Sequence, residues 1–319
     1  MQITSQCTKE VIMQAARALS HGNLVAFPTE TVYGLGADAT NESAVSRIYS
    51  VKGRPTGHPL IVHISSLSQI KNWAINIPDY VEQLAREYWP GPLTVVLKRS
   101  STAKDFITGQ QDSIALRIPN DPIALDLLVE FEKLGGLGIA APSANRYQSI
   151  SPTSADDVIT ELGEFLKSSD LVLDGGSCKI GIESTIVNCL GKNPEILRPG
   201  AILEQDIINL TALTDLVKPV KSNIKTSGTL GLHYSPKAKV ILNETPLCGD
   251  GLLALKDVST PDGVVRLGSP QDIHDFARTL YQSLRLADKL KLKKVVVQTP
   301  DSSGLGLAIN NRLEKMLQI

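Results

Sequence analysis

Aromatic residues are scarce in this 319-residue chain: five Phe, two Trp and seven Tyr make up 4% of it. So few rings speak against a protein that lines up stacking platforms for single-stranded nucleic acid. An excess of charge of either sign is also lacking. Lys and Arg number 32 against 33 Asp and Glu, for a formal net charge of -1. That balance gives no support to a protein coated in nucleic acid, although a basic cleft offset by acids elsewhere remains compatible with it. The four cysteines, Cys7, Cys178, Cys189 and Cys248, contain no C-x-x-C pair and read as reduced thiols rather than a disulfide framework. No apolar run approaches the ~18 residues that span a bilayer. The opening MQITSQCTKEVIMQ has no basic segment followed by an apolar one, so no secretory signal is expected. The expectation is a cytoplasmic protein with no membrane association and no strong direct binding of nucleic acid.

Catalytic signatures are missing as well. There is no H-E-x-x-H, no nucleophile elbow and no Cys–His cluster with zinc spacing. The stretch FPTETVYGLGADA, residues 27–39, follows the apolar run Leu24-Val25-Ala26 and has the look of a ligand loop. Yet no Gly-Lys-Ser/Thr follows, as a P-loop requires, and no third glycine completes a dinucleotide fingerprint. Scattered cations and hydroxyls without an evident nucleophile suit chemistry done by positioning and electrostatics.

What the chain does have is 42% hydrophobic residues, enough to fill two cores. Apolar periodicity predicts helices over residues 8–21, 41–52, 79–89, 122–131 and 155–166. Strands are expected at 24–27, 60–64, 93–97, 114–118, 137–140, 171–173 and 182–189. Some strands follow one another with no helix between, which predicts a mixed α/β sheet rather than a regular parallel one. Residues 211–235 thin into Lys-, Thr-, Ser- and Gly-rich sequence and read as a long linker. A smaller C-terminal α/β domain follows, with strands at 238–242 and 294–297 and helices at 270–290 and 306–317. The expected division is 1–210, a linker or lid over 211–236, and 237–319.

Within this frame a few polar residues sit where chemistry is possible. Lys52 and Arg54 end a helix and enter a Gly-Pro loop. Two such cations suit a polyanion, Lys as a point charge and Arg through paired hydrogen bonds, or else simply complement the helix dipole. His63 interrupts the apolar strand Leu60-Ile-Val-His-Ile64, on the face of Ile61. Arg117 shares a face with Ala115, opposite Ile114, Leu116 and Ile118. Each is either a structural residue or, if that face lines a cleft, a ligand contact. Pro142-Ser143-Ala144-Asn145, Glu183-Ser184-Thr185 and Leu197-Arg198-Pro199-Gly200 are weak signals one by one.

Taken in order, these pieces closely resemble the YrdC family, in its two-domain form. The match runs through Pro28-Thr-Glu-Thr-Val-Tyr-Gly-Leu-Gly36, Lys52-x-Arg54-Pro, His58-Pro-Leu, Arg117-Ile-Pro, Ser143-x-Asn145, Glu183-Ser184-Thr185 and Arg198-Pro-Gly. His233-Tyr234-Ser-Pro236, Ala277-Arg-Thr-Leu-Tyr281 and Gly304-Leu-Gly-Leu-Ala-Ile-x-x-Arg312-Leu extend it through the second domain. The resemblance implies an open twisted mixed α/β sheet around a basic concavity. It also implies L-threonylcarbamoyladenylate synthesis, in which L-threonine, bicarbonate or carbon dioxide, and ATP give threonylcarbamoyl-AMP and pyrophosphate. The product would be handed to the threonylcarbamoyl transferase complex for tRNA modification. Carried over by position, Lys52, Arg54, Ser143 and Asn145 match the two signature motifs and are assigned to the ATP phosphates. Mg²⁺ is expected to be held through those phosphates, with no direct protein ligand. His58, Ser113, Ser151, Arg198 and Tyr234 align with nucleotide contacts. Thr31, His63, Arg117 and Ser184 align with the threonine pocket, Arg117 on the carboxylate. On this reading the loop over 29–36 is an amino-acid wall rather than a phosphate cradle. His58 stands where many members have Asn, and the linker lacks the family's Pro-Gly-Met start. The competing readings are an RNA-binding accessory of tRNA or rRNA maturation and a carbamoyltransferase domain like that of HypF. The few aromatics weigh against the first, and the missing acylphosphatase and zinc-finger segments against the second.

Overall fold

The computed structural model describes residues 1–4, 7–211, 224–226 and 234–317. Among them, ten strands form one large sheet: β1 (Gln2–Thr4), β2 (Val25–Phe27), β3 (Gly34–Asp38), β4 (Ile61–His63), β5 (Leu93–Lys98), β6 (Ser113–Arg117), β7 (Ile139–Ala140), β8 (Leu171–Leu173), β9 (Thr185–Asn188) and β10 (Glu195–Arg198). Their order is β1-β8-β2-β3-β7-β4-β6-β5-β9-β10. Pairing is mixed: β4 runs parallel to β6 and β5 to β9, whereas β2–β3, β3–β7, β4–β7, β5–β6 and β9–β10 are antiparallel. The mixed α/β sheet expected from the sequence is therefore present.

Helices cover the two faces unequally. One face is packed by the helices Glu42–Lys52, Asp79–Tyr88 and Ala155–Leu162, through Val45, Ile48, Leu84 and Val158 against Val62, Val95 and Leu116. On the opposite face the helices Lys9–Ser20 and Pro122–Lys133 pack Leu19, Leu127 and Phe131 onto Val25, Phe27 and Ile139. Strand alternation decides what else lies on that second face. His63 is the register partner of Ile139, and Ile61 and His63 pair with Ala115 and Arg117. Beyond the two helices, the same face carries Ile61, Val96, Ala115 and Ile186 as a small apolar floor. The polar site stands there, beside the helices and above that floor.

Local signals place the ends of the site elements. Asn41 caps the helix Glu42–Lys52 by accepting from Ala44 N, and Gly53 ends it in the left-handed region at φ 63°. Lys52 thereby falls in the last helical turn. Asp121 accepts from Ile123 N and Ala124 N, with Pro122 opening the helix that follows β6.

A second sheet of four parallel strands is built from β11 (Lys239–Leu242), β12 (Gly251–Leu253), β13 (Val265–Gly268) and β14 (Lys294–Val297), in the order β11-β14-β12-β13. Helices Ile273–Lys289 and Leu305–Leu317 pack on it. Its core does not close on itself. Val32, Ile150 and Ile182 of the first unit and Tyr234 join Phe276, Tyr281 and Leu313 in one buried cluster. Arg285 reaches across as well, to Asp157, Glu161 and Ile150 O.

Candidate active site

The register of β4 and β6 sets His63 beside Arg117 on the open half of the sheet. A cavity opens over them, lined also by Thr31, Ser143, Ser184, Arg198 and Tyr234. Thr31, His63, Arg117 and Ser184, expected to share a pocket, therefore do so, and Ser143, Arg198 and Tyr234 join them.

Each wall is fixed by its own hydrogen bonds. Thr29 Oγ1 donates to Val32 O at 2.7 Å and accepts from Thr31 N and Val32 N at 3.2 Å, which folds the loop back on itself. Its hydroxyl lies 2.8 Å from that of Thr31. Gly34 and Gly36, the source of the loop-like appearance, belong to β3. A Cβ on Gly36 would meet Ile139 Cγ2 at 2.7 Å and Phe27 Cε1 at 2.9 Å, so this glycine allows close packing of strands. On the far wall, Ser184 Oγ lies 2.7 Å from Thr94 Oγ1, and Arg198 donates to Ser184 O and Oγ, both at 3.1 Å.

The charged groups are buried and mostly engaged. Arg117 Nη2 donates to Glu30 Oε1 at 2.7 Å, and Glu30 Oε2 accepts from Asn120 N. Burial, then the neighbouring Arg117 guanidinium, pushes the His63 imidazolium down to about 3, so His63 is neutral near pH 7. Glu183 behaves in the opposite sense. Burial alone would raise its carboxyl, but Arg312, then Arg198, and the Ser151 hydroxyl hold it at about 2. It accepts from Ser151 Oγ at 2.6 Å, Tyr281 Oη at 2.9 Å and Arg312 Nε at 3.1 Å. The last two donors come from the C-terminal unit.

The residues assigned to phosphates lie around the Ser143–Asn145 loop. Lys52 Nζ donates to Ser143 O at 2.6 Å and Asn145 O at 2.5 Å, so two of its three donors tether that loop. Burial and the charges of Arg54 and Arg146 push its pKa well down. Arg54 Nη2 donates to Pro59 O at 3.2 Å. Asn145 Nδ2 donates to Arg146 O and Ser149 O. Among the described residues, Arg54 Nε, Asn145 Oδ1 and His63 Nδ1 are buried polar atoms with no hydrogen-bond partner. Such atoms are rare in folded proteins, and a bound ligand would complete the bonding of these three.

The remaining expected residues sit at the margins. His58 is half-buried with its ring edge-on to Tyr147, its pKa lowered by burial and by Arg54. Ser113 lines a neighbouring hollow that shares Ile61 with the cavity and includes Lys225 and Thr226. Ser151 is engaged by Glu183. Tyr234 reaches the cavity wall at φ 66°, stacked on Tyr281 with ring centroids 5.8 Å apart. The rest of the expected lid, residues 212–223 and 227–233, lies outside the described residues. Sequence reasoning passed over Glu30, Glu183, Tyr281 and Arg312. All four lie in quoted motifs, but pairs 87, 98 and 129 residues apart are not visible in local spacing.

Fold and site together define a two-unit α/β protein with a buried, cation-rich cavity at the open half of its large sheet. Comparison with known proteins narrows this. The Sua5–YciO–YrdC family model, described as telomere recombination, matches residues 17–200. A model described as the C-terminal domain of threonylcarbamoyl-AMP synthase matches residues 201–316. The chain belongs to the Sua5–YciO–YrdC family. It is 38% identical over 320 residues to the threonylcarbamoyl-AMP synthase of Pyrococcus abyssi, covering 94% of this chain and 92% of that one. To the Bacillus subtilis protein of the same name it is 35% identical over 325 residues, covering 95% and 92%. The crystal structure of P. abyssi Sua5 complexed with L-threonine superposes with a TM-score of 0.88 at 35% identity, over 99% of this chain and 98% of that one.

Proposed function

We propose that this chain is a threonylcarbamoyl-AMP synthase that joins L-threonine, bicarbonate or carbon dioxide, and ATP, releasing pyrophosphate. By reaction class it is a nucleotidyltransferase, and its product supplies the threonylcarbamoyl group for tRNA modification. The observation that carries this reading is the convergence of the β4–β6 pair, His63 beside Arg117, with Ser143, Ser184 and Arg198 on one buried cavity. Its weight comes from relatives of that name along nearly the whole chain.

Arg117 fits the threonine carboxylate, offering the part of its guanidinium turned to the cavity while Glu30 fixes the rest. Thr31, Ser184 and the neutral His63 fit the remaining polar atoms. A free α-amino group has a pKa of roughly 8, and a cavity with two buried arginines and an uncharged imidazole disfavours the ammonium further. The neutral amine adds to carbon dioxide, and loss of its proton leaves a carbamate, which the same cations stabilise. A carbamate oxygen then attacks the α-phosphorus as the bond to the β,γ-diphosphate breaks, with no covalent enzyme intermediate.

Arg54, His58, Ser113, Ser143, Asn145, Ser151, Arg198 and Tyr234 are assigned to the nucleotide. Lys52, which also tethers the Ser143–Asn145 loop, is assigned to the phosphates with them. The site fits Mg²⁺ carried on the phosphates with no direct protein ligand: the buried Asn145 Oδ1, which has no partner, would accept from water bound to the ion. Bound there, the metal would offset the repulsion between phosphates and carbamate. The deciding experiment is pyrophosphate release with each of threonine, bicarbonate, ATP and Mg²⁺ omitted in turn, the nucleotide product being identified by mass. Release is expected only when all four are present, and release indifferent to threonine would reject the assignment.

A further inference from the structure

Arg312 belongs to the C-terminal unit, is wholly enclosed, and does not line the cavity. Its Nε and Nη2 donate to Glu183 Oε2 and Glu183 O, both at 3.1 Å, and Nη1 donates to Pro199 O. These backbone atoms adjoin Ser184 and Arg198, the two residues of the far wall. Two buried arginines thus lie near one buried carboxylate, whose oxygens are taken by Ser151, Tyr281 and Arg312. Arg198 bonds Ser184 in the same arrangement.

We propose that Arg312 is a positioning residue: by holding the Glu183 carboxylate it keeps Arg198 on Ser184 and turned to the cavity, so the C-terminal unit completes the active site. The physical reason is competition. A buried carboxylate deprived of its cation draws the nearest remaining one, because an unpaired buried charge is unfavourable and a guanidinium–carboxylate pair is a strong hydrogen-bonding unit. If Arg312 is lost, Arg198, which already pulls on the Glu183 carboxylate, is that cation, with Lys315 the weaker competitor. The turn of Arg198 toward Glu183 strips Ser184 of its donor and neutralises positive charge meant for the substrates. The inference rests on reading the cavity as the threonine and nucleotide site.

The test uses the full-length chain in three variants: Arg312→Met, Glu183→Gln and the double variant. A crystal structure of R312M is expected to show Arg198 bonded to Glu183. The threonine Kd by calorimetry and the KM for ATP are expected to rise roughly ten- to hundredfold, as for other small misplacements near reacting groups. In the double variant, with no carboxylate to capture Arg198, both constants fall back to within about twofold of those of E183Q. An Arg312 that merely supports the fold predicts the reverse, a double variant at least as impaired as R312M. That result, or an Arg198 still on Ser184 in R312M, overturns the proposal. If R312M does not accumulate as folded protein, E183Q against the double variant decides alone: matched constants support it, and a weaker double variant overturns it. Wild-type protein that makes no pyrophosphate from threonine, bicarbonate and ATP would overturn the functional reading instead. The position of Arg198 in R312M is read independently of that outcome.

Discussion

Arg117 is tied to Glu30 through Nη2, so replacing it with Ala leaves a carboxylate buried without its cation, at a cost of about 3–5 kcal/mol. Loss of activity in that variant would say little about substrate. Arg117→Lys is the sharper change, because it keeps the charge beside Glu30 and removes only the planar fork. We expect it to raise the threonine KM by about tenfold, equivalent to ~1.4 kcal/mol of binding, with little change in kcat. A KM unchanged in steady-state kinetics would take Arg117 out of the carboxylate role. Acid stability belongs to the same scale. His63 stays neutral in the fold to about 3, whereas an unfolded histidine takes up its proton near 6.5. Below 6.5 the unfolded chain therefore binds a proton that the fold refuses, and stability falls with pH by up to ~1.4 kcal/mol per unit. His58, also lowered, adds in the same direction. Glu183 joins below 4.5, because its folded carboxyl ionises at about 2 and the unfolded one is already taking protons. Urea midpoints followed downward from neutral pH should decline below 6.5 and more steeply below 4.5. His63→Asn should lessen the slope all the way from 6.5 to about 3 and keep the added Glu183 loss below 4.5, and an unaltered profile in that variant would refute the argument.

At the level of strands, Gly36 makes a direct claim on sequence. Its missing side chain lets β3 lie between Phe27 of β2 and Ile139 of β7, both within 3 Å of where a Cβ would be. Gly36→Ala must displace ring or branched carbon, and ~1–3 kcal/mol of destabilisation is expected by chemical denaturation. A neutral substitution would show that the strands have slack. The same position explains what could and could not be read from sequence. Strands with a plain apolar run, such as Ile61–His63 and Leu93–Lys98, were legible from pattern. Alternation also assigned His63 and Arg117 to the faces they occupy. β3 was not legible, because Gly34-Leu-Gly36 carries the chemistry of a turn and becomes a strand only through neighbours distant in sequence. β1, β12 and β13 are short segments whose pairing is decided by parallel partners, beyond the reach of local periodicity. The helix predicted to 166 ends at Leu162, with Gly163 as its cap. In the site, residue types were readable but adjacency was not: nothing near Arg117 in sequence points to Glu30, and nothing near Glu183 points to Arg312.

The two units meet too closely to be independent. Gly181, two residues before Glu183, sits at φ 82°, and a Cβ there would stand 2.5 Å from Arg278 Cα and 2.7 Å from Ala277 O. Both belong to the helix Ile273–Lys289, so backbone faces backbone and no side chain can yield. Gly181→Ala combines that clash with a left-handed conformation that is roughly 1–2 kcal/mol unfavourable for a residue with a Cβ. Relief comes by moving the helix away, which pulls Tyr281 from Glu183 and opens the shared cluster around Val32, Ile150 and Ile182. Calorimetry of G181A should therefore separate into two transitions where the parent chain gives one. Threonine-dependent pyrophosphate release should fall by roughly tenfold or more, since the shifted groups are the ones that hold the far wall of the cavity. A single transition with full activity would mean that the units tolerate separation, and that the contact through Gly181 does not couple the second sheet to the chemistry of the first.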